Sequence, residues 1–185
     1  ENRLSLRFAI LASLESSAQT GYEIAREFDY GVGNFWHATH QQIYRELGKL
    51  TQESLVDFEQ IQQESKPSKK RYLLTELGRD ALATWLNSPT ARQPIRDPLL
   101  VKISAGFLAD PEKLKIEVSN HQHDYQRQLE RFKGYEIEFK ACKKPPSEKQ
   151  MYLYMTLRRG IISSEAWIAW LDEVLAFLRG LEDAP

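Results

Sequence analysis

Thr39-His40-Gln41-Gln42-Ile43-Tyr44-Arg45-Glu46-Leu47-Gly48-Lys49-Leu50 is the stretch on which the fold turns. Thr39 and Gln42 have the Thr-x-x-Gln spacing of a capping box, in which each side chain satisfies a free backbone amide at the helix start. Ile43, Leu47 and Leu50 follow at steps of four and three, so they share one face and are expected in the core. His40, Gln41, Tyr44, Arg45 and Lys49 then point outward. A helix with an apolar back and a hydrogen-bonding front is built to read something outside its own chain.

Upstream, Leu4, Phe8, Leu11 and Leu14 have helical spacing and predict a first amphipathic helix over 4–14. Thr20-Gly21-Tyr22-Glu23 is a second capping box, and Ile24 and Phe28 give its helix, over 20–28, a buried face. Gly31 and Gly33 end that helix and open a loop. Downstream the period falls to two. Val56 and Phe58 alternate with Asp57 and Glu59, and Arg71 to Leu74 forms a second extended run. Between them Gln62 to Ser68 is polar and broken by Pro67, which predicts a hairpin with a solvated tip. A fourth helix starts near Thr75, carries Leu77, Leu82, Trp85 and Leu86, and ends before Asn87-Ser88-Pro89. Three helices, a two-stranded wing and a helix make a winged helix-turn-helix, whose third helix enters the major groove of DNA while the wing reaches the backbone.

The formal net charge of -1 does not announce a nucleic-acid partner, so positive charge must be gathered locally. It is gathered: Lys66, Lys69, Lys70 and Arg71 fall within six positions on the wing. On the third helix Gln41 has the groups to read adenine, Arg45 to read guanine or grip phosphate, and Tyr44 to donate to phosphate. Thr39 and His40 stand at the helix N-terminus, where free amides attract phosphate. Such residues also occur on ordinary solvated surfaces. Their coincidence with the right helix and the right strand favours double-stranded DNA.

The second half reads as all helix, giving a mainly α chain with domains at 1–88 and 99–185 and a Pro-rich linker at 89–98. Asp97-Pro98 and Asp110-Pro111 each place a capping acid before a first-turn proline. The helix from Pro111 is expected to run to Ala141, about 45 Å. Pro145-Pro146 breaks the chain, and Ser147 to Gln150 caps a last helix to about Arg179. That helix carries two stripes: Tyr154, Leu157, Ile161, Ser164, Ile168, Leu171, Leu175 and Leu178, and beside them Trp167, Trp170, Val174, Phe177 and Leu181. The preceding helix offers Leu114, Val118, Tyr125, Leu129, Phe132 and Phe139 in return. The surplus predicts a homodimer seamed by Tyr154, Leu157, Ile161, Ile168, Leu171, Val174, Leu175 and Leu178, although packing on the first domain would use some of it.

No catalytic, metal or cofactor arrangement emerges. Gly31-Val32-Gly33 lacks the preceding strand and third glycine of a nucleotide fingerprint. His121 and His123 lie about 200° apart on a helix and do not converge on a metal. Cys142, the one cysteine, has lysines beside it but no base placed by sequence, and reads as a surface thiol. The apolar run Phe8 to Leu14 is cut short by Glu15, and no stretch is long enough for a membrane span, so a trimmed cytoplasmic chain is expected. A winged helix used only for protein contacts is the other class of reading.

Leu6-Arg7-Phe8-Ala9-Ile10-Leu11, Gly21-Tyr22-Glu23-Ile24, Phe35-Trp36-His37-Ala38-Thr39-His40-Gln41-Gln42-Ile43-Tyr44-Arg45-Glu46-Leu47 and Lys70-Arg71-Tyr72-Leu73-Leu74-Thr75-Glu76-Leu77-Gly78, in this order, resemble the PadR family of transcriptional regulators. The likeness is strong over about residues 4–86 and looser beyond, where it points to the larger subgroup with long C-terminal helices, which is phenolic-acid-repressor-like and AphA-like. It implies a homodimer on an inverted-repeat operator, with a repressor as the expected type. Trp36 in this block reads as a core anchor under the third helix. Some relatives sense aromatic acids, and Tyr152, Tyr154, Trp167 and Trp170 with Arg158 and Arg159 would suit an aromatic carboxylate. Filling the dimer seam is the favoured role of the two tryptophans.

Overall fold

The computed structural model describes residues 2–30, 38–63, 66–91 and 95–182. The expected loop at Gly31 and Gly33, together with Phe35, Trp36 and His37, lies outside the described residues. The chain forms two units, Glu1–Arg92 and Gln93–Pro185.

In the first unit the elements run α1 (Asn2–Leu14), β1 (Gln19–Thr20), α2 (Gly21–Tyr30), α3 (His40–Gln52), β2 (Val56–Gln63), β3 (Lys66–Leu74) and α4 (Glu76–Leu86). The apolar positions at helical spacing meet in one core. Ile10 and Leu11 of α1, Ile24 of α2, and Ile43, Leu47 and Leu50 of α3 are wholly buried. Each such side chain contributes about 1.5–3 kcal/mol relative to exposure. Val56, Tyr72 and Leu82 close the core from the sheet and α4, and Phe8 stacks on Trp85 with centroids 4.6 Å apart.

The sheet has three strands in the order β1-β3-β2, all antiparallel, not the two expected from sequence. β1 pairs Gln19 with Tyr72 and Thr20 with Arg71, and two residues are too few to show an alternation. The wing is also longer than its polarity suggested. Gln62, Gln63 and Lys66 to Ser68 are strand, so most of the expected tip lies within β2 and β3, although there only Gln63 and Lys66 pair, after an irregular register between Ile61 and Gln63. Pro67 lies beyond the residues where β1 pairs, so its missing amide removes no bond on that side. On α4, Leu77 and Leu86 are exposed, and Leu82 and Trp85 alone carry the expected packing.

α4 is seated on the turn that follows α3. Thr75, its N-cap, accepts from the Gly78 amide at 3.0 Å and donates to the carbonyls of Ser54 and Leu55 at 2.8 and 3.0 Å. Ser54 turns the chain through a φ of 57°.

The second unit comprises α5 (Pro98–Ser104), a 3-10 turn (Gly106–Leu108), α6 (Pro111–Ala141) and α7 (Glu148–Glu182). Asp97 and Asp110 cap α5 and α6 through their carboxylates, each followed by proline in the first turn. Ser147 and Gln150 satisfy each other's amides at the start of α7, at 3.3 and 2.7 Å. Leu99, Leu114, Val118, Leu171, Val174, Leu175 and Leu178 form the core, with Tyr125, Trp167 and Trp170 packed around it. Farther along, Gly160 lies against the ring of Phe132, and Ser164 bonds to Gln128 across the helices at 3.3 Å.

This packing corrects the assignment of the α7 stripe. Ile161, Leu171, Val174, Leu175 and Leu178, expected to wait for a partner subunit, are buried within the chain itself. Tyr154, Leu157 and Ile168 are half-buried, and Tyr154 stacks on Phe139 with centroids 4.4 Å apart. An antiparallel companion as long as α6 covers more of α7 than its charged sequence suggested. Among the apolar residues α7 leaves in solvent, Met151, Met155 and Ile162, continued by Ala166 and Ala169, share one stripe. Leu153 is exposed as well, and so are Phe177 and Leu181, which the second expected stripe assigns to a buried face.

Candidate nucleic-acid interface

The start of α3 is organised by its cap. Thr39 Oγ1 accepts from the Gln42 amide at 3.2 Å, and Gln42 Oε1 accepts from the Thr39 amide at 2.8 Å. Gln42 is thereby committed to the backbone. Behind the cap, Ile43, Leu47 and Leu50 tie the helix to the core and fix its rotation. That rotation presents Thr39, His40, Gln41, Tyr44 and Arg45 to solvent on one side. Gly48 continues the face and meets nothing within 4 Å, a clearance that the sequence reading did not single out.

Lys49 departs from its expected place. It is only half-exposed, and its ammonium lies 3.1 Å from a carboxylate oxygen of Glu46. Glu46 is buried, and a buried carboxylate is costly unless paired, so Lys49 neutralises the core side of α3. A helical period places side chains but does not reveal which buried acid will draw one back.

On the wing Lys69, Lys70 and Arg71 are exposed; the Lys66 side chain lies outside the described residues. Strand pleating sends Lys69 and Arg71 to one face and Lys70 to the other with Tyr72. Lys70 holds its ammonium 4.0 Å from the Phe58 ring centroid. Arg71 donates from Nε to the Ala18 carbonyl at 3.2 Å, tying the wing to the segment before β1.

That segment leads into α2, where Thr20 and Glu23 form the second capping box at 2.7, 2.9 and 3.2 Å. Bonds from the Thr20 amide, then from its hydroxyl, hold the Glu23 carboxyl below the usual range, with Arg71 and Lys69 adding to the effect. Gly21, between them, is buried beneath Tyr44 of α3. The outward face of α3, the start of α2 and the root of the wing are thus one continuous surface. Only the first and last of these were expected.

The residues proposed for an aromatic effector do not converge. Trp167 stacks on Tyr125 and meets Trp170 edge-on, both at 5.2 Å, as part of the second unit's core. Arg158 and the Tyr154 hydroxyl both bond to Glu136, at 3.0 and 2.8 Å, and Tyr154 is the main reason that this carboxyl lies below its usual range. Tyr152 and Arg159 are exposed, and Tyr152 is about 27 Å along the helix from Trp170. None of these residues lines the open groove of about 450 Å³ formed by Val101, Lys102, Leu108, Lys113 and Leu114. Among the described residues no group of His, Cys, Asp or Glu is placed to hold a metal, and no helix is long and apolar enough to cross a membrane.

Comparison with known proteins bears on this arrangement. Residues 10–84 match the model of the transcriptional regulator PadR-like family, and residues 95–179 match the virulence activator alpha C-terminal model. A Mycobacterium tuberculosis protein described as a probable transcriptional regulator, Rv1176c, is 34% identical over 95% of this chain and 98% of its own. The chain belongs to the PadR-like family of transcriptional regulators. The negative transcriptional regulator PadR of Bacillus subtilis is 28% identical over 94% of this PadR-like chain and 97% of its own. Its crystal structure in complex with operator DNA superposes with a TM-score of 0.78 at 26% identity, covering 94% of this chain and 99% of that one. The Vibrio cholerae virulence activator AphA gives 0.76 at 32% identity, covering 95% and 99%. The B. subtilis protein has also been solved with p-coumaric acid, with a TM-score of 0.73 at 25% identity and coverage of 97% and 98%.

Proposed function

We propose that this PadR-like regulator binds an inverted-repeat operator as a homodimer and represses from it, with α3 in the major groove and the β2–β3 wing on the backbone. One observation carries the reading. α3 turns three wholly buried apolar residues inward and His40, Gln41, Tyr44 and Arg45 outward, beside a strand bearing Lys69, Lys70 and Arg71. A protein-contact surface has no need of that alternation of base-reading and phosphate-binding groups. The operator complex of the B. subtilis relative and its description as a negative regulator support the reading.

Selection of bound sequences from a random duplex library tests it. The expected product has dyad symmetry, with half-sites about one helical turn, 34 Å, apart on one face. On that operator Lys69→Ala flattens the dependence of log affinity on log salt by about one unit. A site without symmetry, or an unchanged slope, counts against the dimer or the wing respectively. No bound duplex at all would favour the protein-contact reading.

A phenolic-acid effector is a second reading, favoured by the p-coumaric acid complex of the same relative. Within the chain the Tyr152–Trp170 set does not support a single site for it, since Arg158 bonds to Glu136, Trp167 stacks on Tyr125 and Tyr152 lies far from the tryptophans. Titration with a panel of phenolic acids tests it through release of the operator, and release by none of them removes it.

A further inference from the structure

Gly21 is the first residue of α2, and it is buried under a residue of the DNA-facing surface. A Cβ at this position would stand 2.4 Å from Cε1, 2.9 Å from Cζ and 3.2 Å from Cδ1 of Tyr44. The ring of Tyr44 therefore occupies the space that any side chain at position 21 would need. The three nearest atoms all belong to that ring, the far end of a side chain, and none to the backbone. We infer that Gly21 is a positioning residue for Tyr44: the missing side chain lets the ring lie against the start of α2 and fixes where its hydroxyl is presented to DNA.

Other reasons for glycine here fail. Among the described residues no glycine has a positive φ, so Gly21 does not adopt a conformation closed to alanine. Helix propensity disfavours glycine. The capping box uses Thr20 and Glu23 and makes no demand on the residue between them. What remains is room. Tyr44 is 48% exposed, and without this seat its ring would be free to sweep the surface. The hydroxyl of Tyr72 is pushed up first by burial and then by the phenol of Tyr44. A neutral donor held between a helix start and the root of a basic strand suits a phosphate oxygen.

The inference rests on the DNA-binding reading, and its test separates the two. Operator affinity is measured for the wild-type chain, Gly21→Ala, Tyr44→Phe and the double variant. Gly21→Ala and Tyr44→Phe are each expected to weaken binding about three- to tenfold, the size of one hydrogen bond. The double variant loses no more than Tyr44→Phe alone, because a displaced ring without its hydroxyl has nothing further to lose. The salt slope is unchanged in all three, since a neutral donor releases no counterion, and the thermal midpoint of Gly21→Ala stays near wild type. Multiplicative losses in the double variant, full affinity in Gly21→Ala, or a lowered midpoint with a changed slope would each overturn the assignment. If the wild-type chain binds no duplex, the parent reading fails instead. The seat is then read from the NMR signals of the Tyr44 ring, which Gly21→Ala must shift, and unmoved signals overturn it.

Discussion

Gly48 and Gly78 are both exempt from any need for positive φ, yet alanine has opposite consequences at the two. A Cβ on Gly48 meets nothing within 4 Å, so Gly48→Ala gains about 0.5–1 kcal/mol of helix stability. A Cβ on Gly78 would lie 2.0 Å from the Leu55 carbonyl oxygen, a backbone atom that has no room to yield. Gly78→Ala should therefore cost about 1–3 kcal/mol, the usual price of overpacking, and lift α4 off its turn. Thermal melts should show the midpoint rising for Gly48→Ala and falling for Gly78→Ala by several degrees each, about 4–8 °C per kcal/mol in a unit of this size. Gly48→Ala should also weaken operator binding, because the new methyl stands on the outward face of α3. Equal melting of both variants with wild type would show that the clearances do not matter. These clearances could not be read from sequence. The capping boxes could, because each is two residue types at a fixed local spacing. The seat of Tyr44 on Gly21, or of Gly78 on Leu55, joins elements whose approach depends on everything between them.

At the scale of elements, the local start signals were reliable and the pairing partners were not. Thr39, Thr75, Asp97, Asp110 and Ser147 all stand where a helix begins, since a free amide needs an acceptor wherever the helix ends up. β1 was invisible because it exists only by pairing with β3. On α7 the expected stripe is in part buried by α6, at Ile161, Leu171, Val174, Leu175 and Leu178, while Phe177 and Leu181 are exposed: periodicity marks an apolar face and does not say what buries it. The start of α2 carries a pH prediction. The folded-state pKa of Glu23 is depressed, so its contribution to stability is fully present above the ordinary glutamate pKa. It is lost as pH falls from there through the depressed folded value. Glu23→Gln keeps a capping side chain but does not titrate, so its stability should vary less than that of wild type across that acid window. Denaturant midpoints measured through the window check this, and parallel curves for the two proteins would exclude the mechanism.

For the whole molecule the decisive feature is that α6 and α7 close a core inside one chain. The proposed dimer must then use residues left in solvent, such as Met151, Met155 and Ile162. Ile162→Lys should impair association while leaving the helical signal intact, because it adds a charge to an exposed face and removes nothing from the core. Dilution followed by sedimentation and circular dichroism should show monomers that retain their helicity. Loss of helicity in step with dissociation would mean that the hairpin depends on its partner after all.

A core completed within each chain has a consequence for how such a regulator would respond to its own abundance. If single chains are durable, they form a standing reserve, and the operator-competent pair grows with the square of their number while pairs are scarce. A modest rise in synthesis would then be felt at the gene as a threshold, set by the small exposed stripe on α7 and not by the stability of the fold.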